Sequence, residues 1–189
     1  MKNTVNEIWR IVLITILGTL GSMVAGLMKY GGEVFVPSTT PFAYFLAYGF
    51  GSSCIFAFYH VKGLSNSISA AMVMGAILFV GISLLMPVLY SAIYSFGVMI
   101  AVVILAFLFE RKLAYMKHWK FIVVGIIFGE LYVLLTLAVL LLTKASGMSA
   151  GAFQQNFFDG MIMGLGLGLG IETAESVIHS VELHQQAKK

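Results

Sequence analysis

Charged side chains are scarce in this chain of 189 residues, of which only 10% are lysine, arginine, aspartate or glutamate. A soluble domain usually carries about a quarter. The mean hydropathy is +0.98, and 60% of the residues are hydrophobic. This composition excludes a soluble globular protein. It predicts an integral membrane protein whose main surroundings are the lipid bilayer.

Residue patterns of enzymes and cofactor sites are also missing. The one cysteine, Cys54, lies in an apolar run and has no partner for an internal disulfide. No phosphate-binding loop, nucleophile elbow or zinc-protease pattern occurs, so we expect neither an enzyme nor a cofactor. The acids and histidine between Glu172 and Glu182 are more typical of a solvated helix end than of a metal site. Basic residues form no stripe apart from the membrane flanks, so nucleic acid is not an expected partner.

Long apolar runs are what the chain has in abundance. About 20 apolar residues are needed for a helix to cross the hydrocarbon core of a bilayer. Six runs approach or exceed this length: Ile8–Tyr30, Phe42–Tyr59, Ser67–Met86, Val88–Phe109, Lys120–Thr143 and Phe153–Glu175. Pro87 separates the third run from the fourth. We therefore predict an all-α integral membrane protein, a six-helix transmembrane bundle in which residues 1–189 form a single domain.

The positions of lysine and arginine predict the orientation of this bundle. If both termini are cytoplasmic, only Lys29 and Lys144 of the 11 basic residues lie outside, which leaves nine inside. An excess of basic residues in cytoplasmic segments is the usual bias of membrane proteins. The even number of runs agrees with it, so we predict cytoplasmic N and C termini.

Small residues recur at four-residue intervals in the first and sixth runs. The ladders are Gly18, Ser22 and Gly26 in the first run and Gly160, Gly164 and Gly168 in the sixth. Such ladders allow helix backbones to approach closely in lipid. They predict that the first and sixth helices pack together. An oligomer interface, or a helix flexible enough to gate, is the alternative.

Glu130 interrupts the fifth apolar run near its middle. Placing an acidic side chain at the centre of a membrane helix costs roughly 2.5–3.5 kcal/mol, so such residues face protein or water rather than lipid. Gly125 and Gly129 would let a neighbouring helix approach and shelter the carboxyl. Two interpretations stay open: a proton or cation relay, or a neutral acid that hydrogen-bonds a neighbouring helix.

The other polar candidates lie nearer the ends of the runs. Lys29 and Glu33 are close enough in sequence to pair across one helical turn, although an interfacial lysine also reaches toward water on its own. Asp159 lies about two turns into the sixth run, where it would shape an outer entrance with this pair. Glu172 would lie at the inner end of the pathway.

The segment Gly18–Pro41 resembles the start of the YagU family of small bacterial inner-membrane proteins. The shared skeleton is a first helix rich in small residues, then Lys29-x-Gly31-x-Glu33-Val34, then Pro37 and Pro41. Ile171 and Glu172 are similar to the closing segment of that family. The Pro-Pro-Arg usual after the glutamate is here Pro37-Ser38-Thr39. The resemblance implies a location in a bacterial inner membrane. It also favours a functional role for Lys29 and Glu33.

These features together favour a small channel or transporter for protons or cations. Its pathway candidates are Glu130, Lys29, Glu33, Asp159 and Glu172. We expect it to act as a homo-oligomer or with a partner membrane protein. The alternative is a scaffold or assembly subunit that transports nothing and binds partner membrane helices through its small-residue faces.

Overall fold

The computed structural model describes residues 2–84, 87–89, 91–93, 95–97, 99–100, 120–142 and 150–186. Over these residues the chain is helical apart from short turns, and it contains no strand. The elements are α1 (Lys2–Tyr30), a 3₁₀ turn (Gly31–Phe35), α2 (Thr40–Leu46), a π turn (Ala47–Gly51), α3 (Ser52–Lys62), α4 (Leu64–Ser83), α5 (Lys120–Leu142) and α6 (Ala150–Gln186). The prediction of an all-α fold is confirmed for this part of the chain.

Within the described residues, three segments are long and apolar enough to cross a membrane: Asn6–Phe35, Lys120–Leu142 and Phe157–His184. Ala71–Ser83 is a shorter apolar helix. All the described residues of the six predicted runs are helical except Leu84, which lies in a turn. The tight break at Met86, the second half of the fourth run (residues 101–109) and the basic loop after it lie outside the described residues.

Glycine conformation ends two of the helices. α1 ends at Tyr30 because Gly31 has a φ of +55°, a left-handed value that suits a residue without a Cβ atom. Gly63 ends α3 in a similar way, with a φ of +85°. α6 has no glycine or proline after Gly170 and continues to Gln186, well beyond the predicted membrane run.

The second run forms one helical path, α2 to α3, through the π turn. A π turn holds one more residue than an α-helical turn and rotates the side chains that follow it. Tyr48 in this turn is fully buried and packs its ring against α5, with ring centroids 5.1 Å from Phe128 and 5.3 Å from Tyr132. Its hydroxyl donates to the Gly125 carbonyl at 3.4 Å. The aromatic side of α5 therefore faces the centre of the bundle.

α6 packs against α5 through one set of glycines. Gly160 lies on Gly129, Gly164 on Gly125, and Gly168 on the Phe121–Ile122 backbone. The approach is so close that a methyl group added at Gly160 would lie 2.9 Å from the Gly129 carbonyl oxygen. The predicted ladder of the sixth run therefore forms the contact of α6 with α5.

α1 packs against α6 through a different set of small residues. Gly166 faces Gly21 and Ala25, and a methyl group added at Gly170 would lie 2.8 Å from the Cα atom of Gly18. The predicted ladder of α1 is used mainly elsewhere, because Gly18 faces Ser53, Ser22 packs on Gly49, and Gly26 faces the Phe45 ring. The first and last helices thus pack together, but mainly through small residues beside the predicted ladders.

We expect Gly164→Ala to destabilise the protein. The added methyl group would lie 2.7 Å from the Gly125 carbonyl carbon, and overpacking of this kind costs roughly 1–3 kcal/mol. The melting temperature in mild detergent should fall. Gly81→Ala on α4 is the control, because a methyl group there meets no atom within 4 Å. Equal melting temperatures for the two variants would contradict this account of the packing.

Candidate functional site

Glu130 lies on the side of α5 that faces away from the bundle. Ile127 and Leu134, three residues before and four after it, share its face and are 38% and 45% exposed. The opposite side of α5 carries Phe128 and Tyr132, which are buried against Tyr48. An acid in the middle of a membrane-length helix thus belongs to an outward apolar stripe.

The carboxyl group of Glu130 is nevertheless shielded from solvent. Neither carboxyl oxygen is accessible, so atoms of the chain itself cover both of them. The backbone of Met161 on α6 lies within hydrogen-bonding reach of the carboxyl group. The side chain therefore lies at the outer edge of the crevice where α5 meets α6.

A second outward stripe borders this crevice on α6. Phe157, Met161 and Leu165, at four-residue intervals, are about as exposed as the stripe on α5. We call the combined surface the Glu130 face. It consists of Ile127, Glu130 and Leu134 of α5 with Phe157, Met161 and Leu165 of α6. Glu130 is the one ionisable residue in this set.

Asp159 has partners on α1. It is 3% exposed, pairs with the Lys29 ammonium group, and accepts a hydrogen bond from the Tyr30 hydroxyl at 2.7 Å. The Lys29 ammonium also lies 5.2 Å from the centre of the Tyr30 ring. The charge of the buried carboxylate is therefore compensated, and the cluster ties α6 to the end of α1.

Glu130 and Asp159 lie at similar depths but on different sides of α6. Each is one residue from the contact between Gly129 and Gly160, so their levels differ by less than about one helical turn of 5.4 Å. Asp159 faces α1, whereas Glu130 lies by Met161 on the outward side. The two acids therefore do not line one passage.

The remaining pathway candidates are separate from both acids. Glu33 is exposed in the 3₁₀ turn. Glu172 lies near the other end of α6, where one of its carboxyl oxygens is buried without a hydrogen-bond partner in the described part of the chain. Within the same residues, no three histidine, cysteine, aspartate or glutamate side chains converge as a metal site would need.

Ion pairs join the helices at the end of the bundle where α1 begins and α6 ends. Arg10 of α1 pairs with Glu182 of α6, and Lys62 of α3 pairs with Glu7 of α1. The Nε2 atom of His60 lies 2.9 Å from a carboxyl oxygen of Glu175. These three contacts join α1, α3 and α6 near this end of the bundle.

Sequence reasoning missed several of these residues. Tyr30 follows Lys29 directly, but its role requires knowing that α1 meets α6 at Asp159. His60 directly follows the second run and Glu175 ends the sixth, positions that made a contact possible without indicating it. Tyr48 carried no signal, because one tyrosine among many aromatic residues does not mark a contact.

Breaking the pair between Lys29 and Asp159 should destabilise the protein in a coupled way. Lys29→Met leaves the buried carboxylate with Tyr30 alone, and removing one partner of a buried pair costs roughly 3 kcal/mol. Adding Asp159→Asn removes the uncompensated charge and should restore most of the lost free energy of unfolding. The free energies of unfolding of the two single variants and the double variant, measured in detergent, give the coupling.

Glu33→Gln serves as the control, since this exposed acid should change the free energy of unfolding very little. Simple addition of the effects of Lys29→Met and Asp159→Asn would contradict the role given to the pair. Equal free energies of unfolding for Lys29→Met and Glu33→Gln would contradict that role as well. The comparison separates a buried contact from a surface charge effect.

The comparisons with known proteins give no relative from which a role could be transferred. No protein-family model, curated protein or solved structure matches the chain. The resemblance of Gly18–Pro41 to the YagU family therefore stays a prediction. Any functional conclusion has to come from the site itself, and above all from the outward position of Glu130.

Proposed function

We propose that this protein is a subunit of a membrane-protein assembly, and that it binds a partner helix through the Glu130 face. The carrying observation is that Glu130, mid-way along a membrane-length helix, lies on the side of α5 that faces outward, in an apolar stripe with Ile127 and Leu134. An acid at this depth is stable only against protein or water. A helix packed on the face would supply that surrounding.

The use of the other sides of α6 supports this proposal. One set of glycines on α6 packs against α5, and the other set packs against α1. Close backbone packing inside the chain therefore occupies both small-residue faces. The Glu130 face is the side of the α5–α6 pair left with large apolar side chains and one carboxyl group. Exposed apolar stripes with a central polar group are typical of binding surfaces.

The setting in this proposal is a bacterial inner membrane that the chain crosses six times, with both termini in the cytoplasm. The three long apolar helices support a membrane setting by their length and composition. The bias of lysine and arginine supports the orientation. The pairing of Arg10 with Glu182 agrees with it, because it brings the beginning of α1 and the end of α6 to one side.

Transport of protons or cations is the second candidate. It is favoured by the same carboxyl group, which lies mid-way along a membrane-length helix. Intramembrane acids of this kind often carry protons. Because Asp159 is paired on the other side of α6, a route would run along the Glu130 face rather than through the contacts between α1, α5 and α6.

The assembly proposal predicts that the size of the particle depends on Glu130. Membranes extracted with a styrene–maleic acid copolymer should yield particles that hold the 20.5 kDa chain and at least one further chain at fixed stoichiometry. Glu130→Leu removes the polar group and should release the chain alone. Native mass spectrometry of the extracted particles measures both states.

Two variants serve as controls for that measurement. Glu130→Gln keeps a donor and an acceptor at the position, so most of the assembly should persist. Glu33→Leu removes an exposed acid on the 3₁₀ turn and should leave the particle unchanged. A single chain in the wild-type particle would refute the proposal, as would an assembly that survives Glu130→Leu intact.

Transport is tested separately in proteoliposomes that contain a pH-sensitive dye. A potassium gradient with valinomycin supplies the driving voltage for proton movement. In parallel runs, a gradient of sodium or potassium takes the place of the proton gradient. If the second candidate is right, the wild type moves protons or cations and Glu130→Gln abolishes the flux. An absence of flux with wild-type protein that is correctly assembled would remove transport from consideration.

A further inference from the structure

A histidine joins α3 to α6 near the end of the bundle where α1 begins. The Nε2 atom of His60 on α3 lies 2.9 Å from a carboxyl oxygen of Glu175 on α6. Histidine is the residue type whose charge ordinarily changes between about pH 5 and pH 8. We propose that this contact is a pH-sensitive latch, which holds α3 to α6 while the imidazole is protonated and weakens when the imidazole loses its proton.

The position of the imidazole lets solvent protons reach a contact that is otherwise enclosed. The side chain of His60 is 37% exposed, whereas the Glu175 oxygen that it approaches is inaccessible. On another side, the imidazole packs against the Phe121 ring of α5, with ring centroids 5.9 Å apart and the planes nearly perpendicular. The imidazole is therefore held between a carboxylate and an aromatic ring and remains open to protonation.

Protonation strengthens a contact of this kind in two ways. A charged imidazole carries hydrogen on both ring nitrogens, whereas a neutral one presents a donor at Nε2 in one of its two tautomers. The charged ring also attracts the carboxylate, and charge-assisted hydrogen bonds are roughly twice as strong as neutral ones. Histidine is ordinarily charged below about pH 6.5, and a carboxyl group is ordinarily ionised above about pH 4.5. The contact is therefore strongest between these values and weakens as the pH rises toward 8.

The two other cations around Glu175 do not change their charge over this range. Arg10 of α1 and Lys120 of α5 both interact electrostatically with its carboxylate. Arginine and lysine ordinarily keep their charge to about pH 10 or higher. Arg10 also pairs with Glu182 of α6. His60 is therefore the group in contact with Glu175 whose charge changes near neutral pH.

The remaining charged groups at this end leave one other titratable ring to consider. Lys62 of α3 pairs with Glu7 of α1, and α4 carries no ionisable residue. Glu172 lies about one helical turn before Glu175 on α6, and glutamate is ordinarily ionised throughout this range. His179 lies about one turn after Glu175 and is exposed. This second histidine serves as a control.

Loss of the proton from His60 leaves Glu175 with partners on other helices. Its two remaining cations lie on α1 and α5, so the carboxylate then joins α6 to these helices and no longer to α3. At this end α3 keeps the pair of Lys62 with Glu7, which is exposed, and exposed pairs contribute little to stability. α3 ends just beyond, at Gly63, where the chain turns into α4. Deprotonation should therefore release the turn between α3 and α4 from α6.

The test is a double-mutant cycle measured at about pH 5.5 and at about pH 8. The wild type, His60→Gln, Glu175→Gln and the double variant are unfolded at equilibrium in mild detergent. The interaction between the two side chains should lower the unfolding equilibrium constant about fourfold at the acidic pH and less than about twofold at the alkaline pH. Equal couplings at the two pH values would overturn the latch, as would the absence of coupling at the acidic pH.

Two matched controls separate the latch from general effects of pH. The same cycle for Lys62 and Glu7, a pair at the same end of α3, should give a coupling that is equal at both pH values. His179→Gln should leave the coupling of His60 with Glu175 unchanged. The latch is refuted if the control pair shows the same pH dependence, or if His179→Gln abolishes it.

Hydrogen exchange supplies a second measurement, which needs one variant and decides the question if Glu175→Gln does not fold. Amide exchange of residues 58–62 is followed by mass spectrometry in the wild type and in His60→Gln. At the acidic pH the variant should exchange about threefold faster, because the charged contact is lost. At the alkaline pH the two proteins should exchange alike. The same ratio at both pH values would contradict the latch.

Discussion

Close backbone contact between α6 and its two neighbours is the constraint on which the rest of this structure depends. Gly160, Gly164 and Gly168 fix α6 on α5, while Gly166 and Gly170 fix it on α1. At these contacts any side chain larger than hydrogen would force the backbones apart. The two contacts set the register of the three longest apolar helices. That register decides which polar residues meet and which remain without a partner.

The same register explains the different surroundings of two acids at similar depth. Asp159 points toward α1, where Lys29 and Tyr30 compensate its charge. Glu130 lies past the α5–α6 contact, on the outward side of α5 and beside the Met161 backbone. One acid therefore joins α6 to α1, while the other lies on the outward side of the α5–α6 pair. This division is why the geometry favours assembly over a passage through the chain.

Sequence alone predicted the all-helical fold, because long apolar runs are read directly from the residues. The ladders of small residues also indicated where helices approach, but not which neighbour each ladder meets. Gly164 and Gly166 are two residues apart and so face different directions, which the helical period could have shown. The outward face of Glu130 could not be read, since α5 is apolar all round. Pairing of Lys29 with Asp159 depends on tertiary register.

The most direct test of the central claim is the collision accessibility of a spin label beside Glu130. The label is attached through Leu134→Cys in a Cys54→Ala background and measured in lipid bilayers, with Val80→Cys as an outward reference on α4. A helix covering the Glu130 face should make the label inaccessible to both oxygen and a water-soluble nickel chelate, while the reference collides with oxygen. High oxygen accessibility at position 134 would show a bare lipid-facing surface. High nickel accessibility would show a water-filled cavity, and either result would contradict the account.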